Sequence, residues 1–278
     1  NDAVTTEYQY TYDLDDRPSA AGYGAISEAF TYDNYGRLSG KTVRKDGTPT
    51  IGQKYTYRTV GTEYTTPQVS ELATAFSGST LTHSYTYDAN GNILSDTTQA
   101  GEVLYEYDSF GQMTREKNGI LSKAWEYTYD PGGNILSKTE RSYSGGNIGA
   151  VVSTHTYGYD DETWSDLLTE YDGDTITYDE IGNPETFLGW NMTWKGGRQL
   201  ACMAQGEDEI VFDYNESGLR TSKVVNDQKT EYIWSGDRLV AELAPSHSFC
   251  FHYDAAGEMI GYTYRPAGGN ASECLLVK

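Results

Sequence analysis

Tyr85-Thr86-Tyr87-Asp88-Ala89-Asn90-Gly91-Asn92-Ile93-Leu94-Ser95 is the stretch that decides the fold. Tyr85 and Tyr87 stand two apart, so on a strand both side chains leave one face and Thr86 leaves the other. Asp88-Ala89-Asn90-Gly91 reads as a turn. Asp at its first position accepts bonds from backbone N–H groups two residues on, and Gly at its fourth takes positive φ. Ile93 then starts a return strand, and the spacing fits a short hairpin loop with a bulge. One hairpin is marginal in water, so this unit needs neighbours.

The neighbours are written along the chain. Tyr-Thr-Tyr-Asp recurs at 10–13 and 127–130, with variants at 30–33, 105–108, 176–179, 212–215 and 251–254. Aligned on the second aromatic, the anchors are Tyr12, Tyr32, Tyr57, Tyr87, Tyr107, Tyr129, Tyr159, Tyr178, Trp194, Tyr214, Trp234 and Tyr253. Their spacing is roughly 20 residues, a period typical of arrays. Repeat residues expected to carry the structure are Tyr32, Asp33 and Gly36; Tyr87, Asp88 and Gly91; Tyr107, Asp108 and Gly111; Tyr129, Asp130 and Gly133. The later ones are Tyr178, Asp179 and Gly182; Tyr214 and Gly218; Tyr253, Asp254 and Gly257. Leu38, Met113, Ile135, Leu200 and Met259 match Ile93, whereas Pro184 and Arg220 break that apolar pattern. Two units put Trp at the anchor and shorten the turn by one residue, at Trp194–Arg198 and Trp234–Arg238.

Edge-to-edge stacking of such hairpins removes unpaired strand edges and lines up the Tyr rows. Accumulated twist must then coil or close a long sheet. The expected fold is all-β, with tandem hairpins forming a spiralling antiparallel sheet, an open or partial shell. Residues 1–278 are expected to be a single array, with irregular insertions near 61–80 and 142–153 that become loops.

The formal charge of −21 excludes a phosphate-binding basic face, so no nucleic acid is expected as partner. No long apolar stretch spans a bilayer, and no membrane insertion is expected. Cys202, Cys250 and Cys274 form neither a disulfide framework nor zinc-ligand spacing. Asn1-Asp2-Ala3-Val4 is not a signal peptide and points to a piece of something longer.

Candidate chemistry is sparse. Asp160-Asp161-Glu162 and the acids of 170–174 read as solvated loops. Asp88–Asn92 begins like an EF-hand loop but has its Gly too early and lacks the bidentate Glu. His83, His155, His247 and His252 show no metal-ligand spacing. Cys250 and His252 share a strand face, with no further site-like residue beside them. The expectation is no catalytic, cofactor-binding or metal residue, and no enzyme.

The units at Tyr85–Ser95 and Tyr127–Ser137 resemble the YD repeats of the RHS family, which includes bacterial RHS and wall-associated proteins, the BC component of insecticidal toxin complexes, and teneurins. The resemblance implies a β-sheet shell around a hollow interior, often holding a C-terminal toxin. The family's self-cleaving core carries an Asp-Pro-x-Gly element. The match here, Asp130-Pro131-Gly132-Gly133, sits in an ordinary repeat turn, so self-cleavage does not carry over. The implied function is a non-catalytic scaffold of a secreted or cell-surface bacterial protein. Its partners would be polypeptide cargo or neighbouring shell segments. The alternative is an adhesin whose exposed aromatics bind a glycan.

Overall fold

The computed structural model describes residues 8–61, 64–253, 257 and 259–275. Contacts divide the chain into two compact units, Asn1–Thr156 and Tyr157–Lys278. Among the described residues there is no helix. Every strand pairs antiparallel with its neighbours in sequence, in one sheet of fifteen and another of ten. The first runs from Tyr8–Tyr12 to Asp174–Thr175 and the second from Thr186–Phe187 to Ser272–Leu275. No described pairing joins the first strand of either sheet to its last, so neither closes on itself.

Local pairing follows the motif. Tyr85 faces Asp96, Thr86 faces Ser95 and Tyr87 faces Ile93, with a register shift between Thr86 and Tyr87. Leu94 is therefore the extra residue of a bulge on the return strand. The same shift recurs at Tyr32 and Tyr129 in the first unit. In the second it recurs at Trp194, Tyr214, Trp234 and Tyr253. Burial alternates as a strand requires: Tyr85 and Tyr87 are half-buried and Thr86 is exposed.

The sheets build little conventional core. Among the described residues the buried apolar side chains are Ile26, Val43, Val103, Ala124, Ile176 and Phe212. Most repeat tyrosines are only half-covered, which is what a single layer achieves from cross-strand neighbours alone.

Two sequence expectations need correction. The segments near 61–80 and 142–153 are not irregular loops. Tyr64–Phe76 and Ser79–Tyr87 pair from Glu71–Ser84 to Phe76–Ser79. Ile135–Ser144 and Asn147–Gly158 likewise form a long hairpin. Thr- and Val-rich chain suits a pleated surface, and bulges at Tyr57 and Arg141 absorb the length mismatch. Residues 62 and 63 lie outside the described set, as does Asp254. Chain without regular strand lies instead at 159–169. There the turn after Tyr159 has Thr163 where most other repeats have Gly.

Candidate functional site

The turn aspartates each tie one loop together. Asp88 Oδ1 accepts the backbone N–H groups of Asn90 and Asn92 at 2.9 and 2.8 Å, and Oδ2 accepts the Asn92 side chain at 2.9 Å. Asp179 does the same with Ile181 and Asn183. At Asp13 and Asp33 the fifth residue after the anchor is arginine, and Arg17 and Arg37 pair with Oδ2 at 2.7 and 2.6 Å. Hydrogen bonds to the ionised form stabilise it. The Arg17 side chain holds the Asp13 carboxyl below its usual range. Asn134, through side chain and backbone, does so for Asp130. Burial works against Asp33, but the Arg37 bonds outweigh it.

Glycine is required here by conformation and by space. Gly91 and Gly133 have φ of +95° and +96°, and a Cβ on either would stand 3.0 Å from a glutamine Nε2. Those glutamines, Gln68 and Gln112, belong to the preceding repeat. Gly36, Gly111, Gly182, Gly218 and Gly257 share the positive φ. At Gly182 the neighbour is Trp164, which occupies the fifth position after its own anchor, Tyr159.

Between repeats, the anchor ring supplies a donor. Tyr87 Oη donates to the Val69 carbonyl at 2.6 Å, Tyr107 to Ile93 at 2.9 Å, and Tyr129 to Met113 at 2.7 Å. Tyr32 and Tyr57 donate to Pro18 and Leu38. In the second unit Tyr178, Tyr214 and Tyr253 donate to Leu168, Leu200 and Leu239. Trp194 and Trp234 use their indole Nε1–H for the same contact, to Pro184 and Arg220, both at 2.7 Å. Most of these acceptors begin a bulged return strand, where the ladder is locally disrupted. The hydroxyl of a half-buried tyrosine thereby finds its partner. Burial pushes the Tyr87, Tyr107 and Tyr129 phenols up, so they remain neutral donors at pH 7.

Cations reinforce the anchors. The Arg17 guanidinium lies 4.5 Å from the Tyr32 ring centre, and Arg37 lies 3.9 Å from that of Tyr57. On the opposite face of the first unit, Arg115 bridges Glu106 and Glu126, while Lys117 and Arg141 complete a chain of alternating charge.

Sequence reasoning singled out anchors, aspartates and glycines, and at Tyr32, Tyr87, Tyr107, Tyr129 and Tyr178 the structure gathers the trio around one turn, whereas Asp254 lies outside the described residues. It gave the fifth residue of each turn no role, although Arg17, Arg37, Asn92, Gln112, Asn134 and Asn183 recur at constant spacing. Cys250 and His252 do share a face, where His252 bonds Thr263 at 2.8 Å. The cysteines are free thiols. Among the described residues no acidic, His or Cys cluster could hold a metal ion. Among the described residues no helix is long and apolar enough to cross a membrane.

A family model for the RHS repeat matches residues 87–119. Over 103 residues the chain is 28% identical to the tRNA3(Ser)-specific nuclease WapA of Bacillus spizizenii, covering 34% of this chain and 4% of that protein. Over 75 residues it is 33% identical to the tRNA nuclease WapA of Bacillus subtilis, covering 26% and 3%. The crystal structure of TcdB2-TccC3-Cdc42 superposes with a TM-score of 0.60 at 16% identity, covering 95% of this chain and 16% of that one. The Photorhabdus luminescens Tc holotoxin pore gives 0.50 at 15% identity, covering 92% and 15%. The chain thus spans a small fraction of each of these four proteins. The motif resemblance has a matching family model over residues 87–119 and a matching fold across nearly the whole chain.

Proposed function

We propose that residues 1–278 are one continuous stretch of RHS/YD-repeat wall, without catalytic function, in a secreted or cell-surface bacterial protein. Its role is to enclose or present a partner polypeptide, such as a C-terminal toxin. One observation carries this reading. The anchor donors from Tyr32 to Tyr129 and from Tyr178 to Tyr253 bind their repeats to the one before, while the aromatic side chains stay half-buried. Such a sheet spends its polar chemistry on holding a wall together and keeps an aromatic face for something else to contact. The fold likeness to TcdB2-TccC3-Cdc42 supports it. The WapA relatives are named as tRNA nucleases, and the match covers only 4% and 3% of their length, so that activity is not carried over to this segment.

Limited proteolysis of the longer protein carrying this segment tests the idea. A C-terminal passenger should resist protease until the repeats themselves are cut. A passenger digested as fast as the same domain alone would end the enclosure reading. A glycan-binding role is favoured by the exposure of Tyr35, Phe110 and Trp164. A glycan array with no hits would remove it.

A further inference from the structure

We propose that the cleft between the turn at Asp108 and the turn at Asp130 receives the guanidinium of an arginine side chain from a partner polypeptide. The chain contains its own precedent. At Asp33 the Arg37 guanidinium is held by Asp33 Oδ2 at 2.6 Å. Its centre lies 5.1 Å from the Tyr35 ring and 3.9 Å from the ring of the next anchor, Tyr57. At Asp108 the corresponding residues are Phe110 for Tyr35, Tyr129 for Tyr57 and Gln112 for Arg37. The carboxylate and both rings are present, and the cation is replaced by a neutral amide.

The consequence is visible at the carboxylate. Asp13, Asp33, Asp88, Asp130 and Asp179 each have Oδ2 engaged by the side chain of the fifth residue. Asp108 Oδ1 accepts the backbone N–H groups of Phe110 and Gln112 at 2.8 and 3.0 Å. Its Oδ2 accepts no hydrogen bond from any described residue. The Gln112 amide, one methylene longer than asparagine, lies instead against Gly133. Phe110 is 88% exposed and borders a cleft of about 710 Å³ with Asp108, Gln112 and Tyr129. A guanidinium stacks on aromatic faces and pairs with a carboxylate in one plane. The chain's charge of −21 favours the approach of a basic segment.

This inference deepens the proposed polypeptide partnership but rests on the geometry of one cleft. Failure of protease protection would remove enclosure and leave the cleft standing. Failure of arginine binding would do the reverse.

The test is an NMR titration of this chain with a glycine pentapeptide carrying a central arginine, and with its citrulline counterpart as a neutral isostere. The arginine peptide should give saturable shifts centred on Asp108 and Phe110, and citrulline should not. Asp108→Asn and Phe110→Ala should each weaken binding about fivefold. Neither should disturb the fold. Asn215 makes the same two backbone bonds, to Ser217 and Leu219, in its own repeat, and Phe110 is exposed. Gln112→Arg should abolish binding by filling the clamp from within, with a melting temperature no lower than the parent's. Equal binding by Gln112→Arg, shifts spread over the acidic surface, or no shift at all would overturn the proposal.

Discussion

Around Tyr129 the turn is Asp130-Pro131-Gly132-Gly133, tied by a carboxylate to Asn134. Around Trp234 it is Gly236-Asp237, a two-residue loop with positive φ at the glycine. The ring differs and so does the turn. The contact to the preceding repeat does not: Tyr129 Oη reaches Met113 at 2.7 Å and Trp234 Nε1 reaches Arg220 at 2.7 Å. A turn is local, and several sequences solve it. A donor aimed at one carbonyl of the neighbouring hairpin is not local, and only a ring with a polar handle at the right distance supplies it.

The largest expected effect comes from removing the ring. Tyr129→Ala should cost about 3 kcal/mol in a urea melt, combining lost packing with an unpaired carbonyl at Met113. A cost under about 1 kcal/mol would mean the anchor is not what joins the repeats.

Gly91→Val comes next. It forces a β-branched residue into φ of +95° and crowds Gln68, which should cost about 2 kcal/mol. Gly236→Ala has φ of +63° and no atom within 4 Å of the added Cβ, so about 1 kcal/mol is expected. Equal costs would show that the close approach at Gly91 contributes nothing.

Removing only the donor is the sharpest probe of the comparison. Tyr129→Phe should cost about 1 to 1.5 kcal/mol, and Trp234→Phe, which also trims the ring, no less, although the turns differ. If only one variant is destabilised, the two contacts are not equivalent.

Acid should then separate the two repeats. The carboxyl of Asp130 is depressed in the folded chain. Its stabilisation is therefore present above the unfolded value of about 3.9 and lost as pH falls below it. Hydrogen exchange at pH 3 should open residues 127–137 before 232–240, in an order that Asp130→Asn diminishes. At the other extreme, the raised phenol of Tyr129 contributes below about pH 10 and loses its proton, and its bond, above that. The smallest effect belongs to the Arg115 network. Its partners are a quarter to two-fifths exposed, so Arg115→Ala should cost under about 1 kcal/mol and less at high salt.

Much of this was legible in the residues. Tyr87, Asp88, Gly91 and Ile93 announce a hairpin because strand alternation, an Asx-type turn and positive φ are properties of neighbours in sequence. The positions of Gln112 and Arg37 were equally visible, yet their task was not. A side chain five residues past the anchor serves its own aspartate, the next glycine or the next ring, and spacing does not choose among them. The chain near 61–80 misled for a related reason. Departure from the period looked like a loop, but bulges let the strands lengthen together.

The residues alone therefore determined the repeating unit, its period and the conformation of each turn, because those forces act over a few bonds. Tertiary structure decided which carbonyl each anchor finds and which carboxylate is left with an open oxygen. Those contacts join atoms ten to nineteen residues apart, and only the register of paired strands brings them within hydrogen-bonding distance.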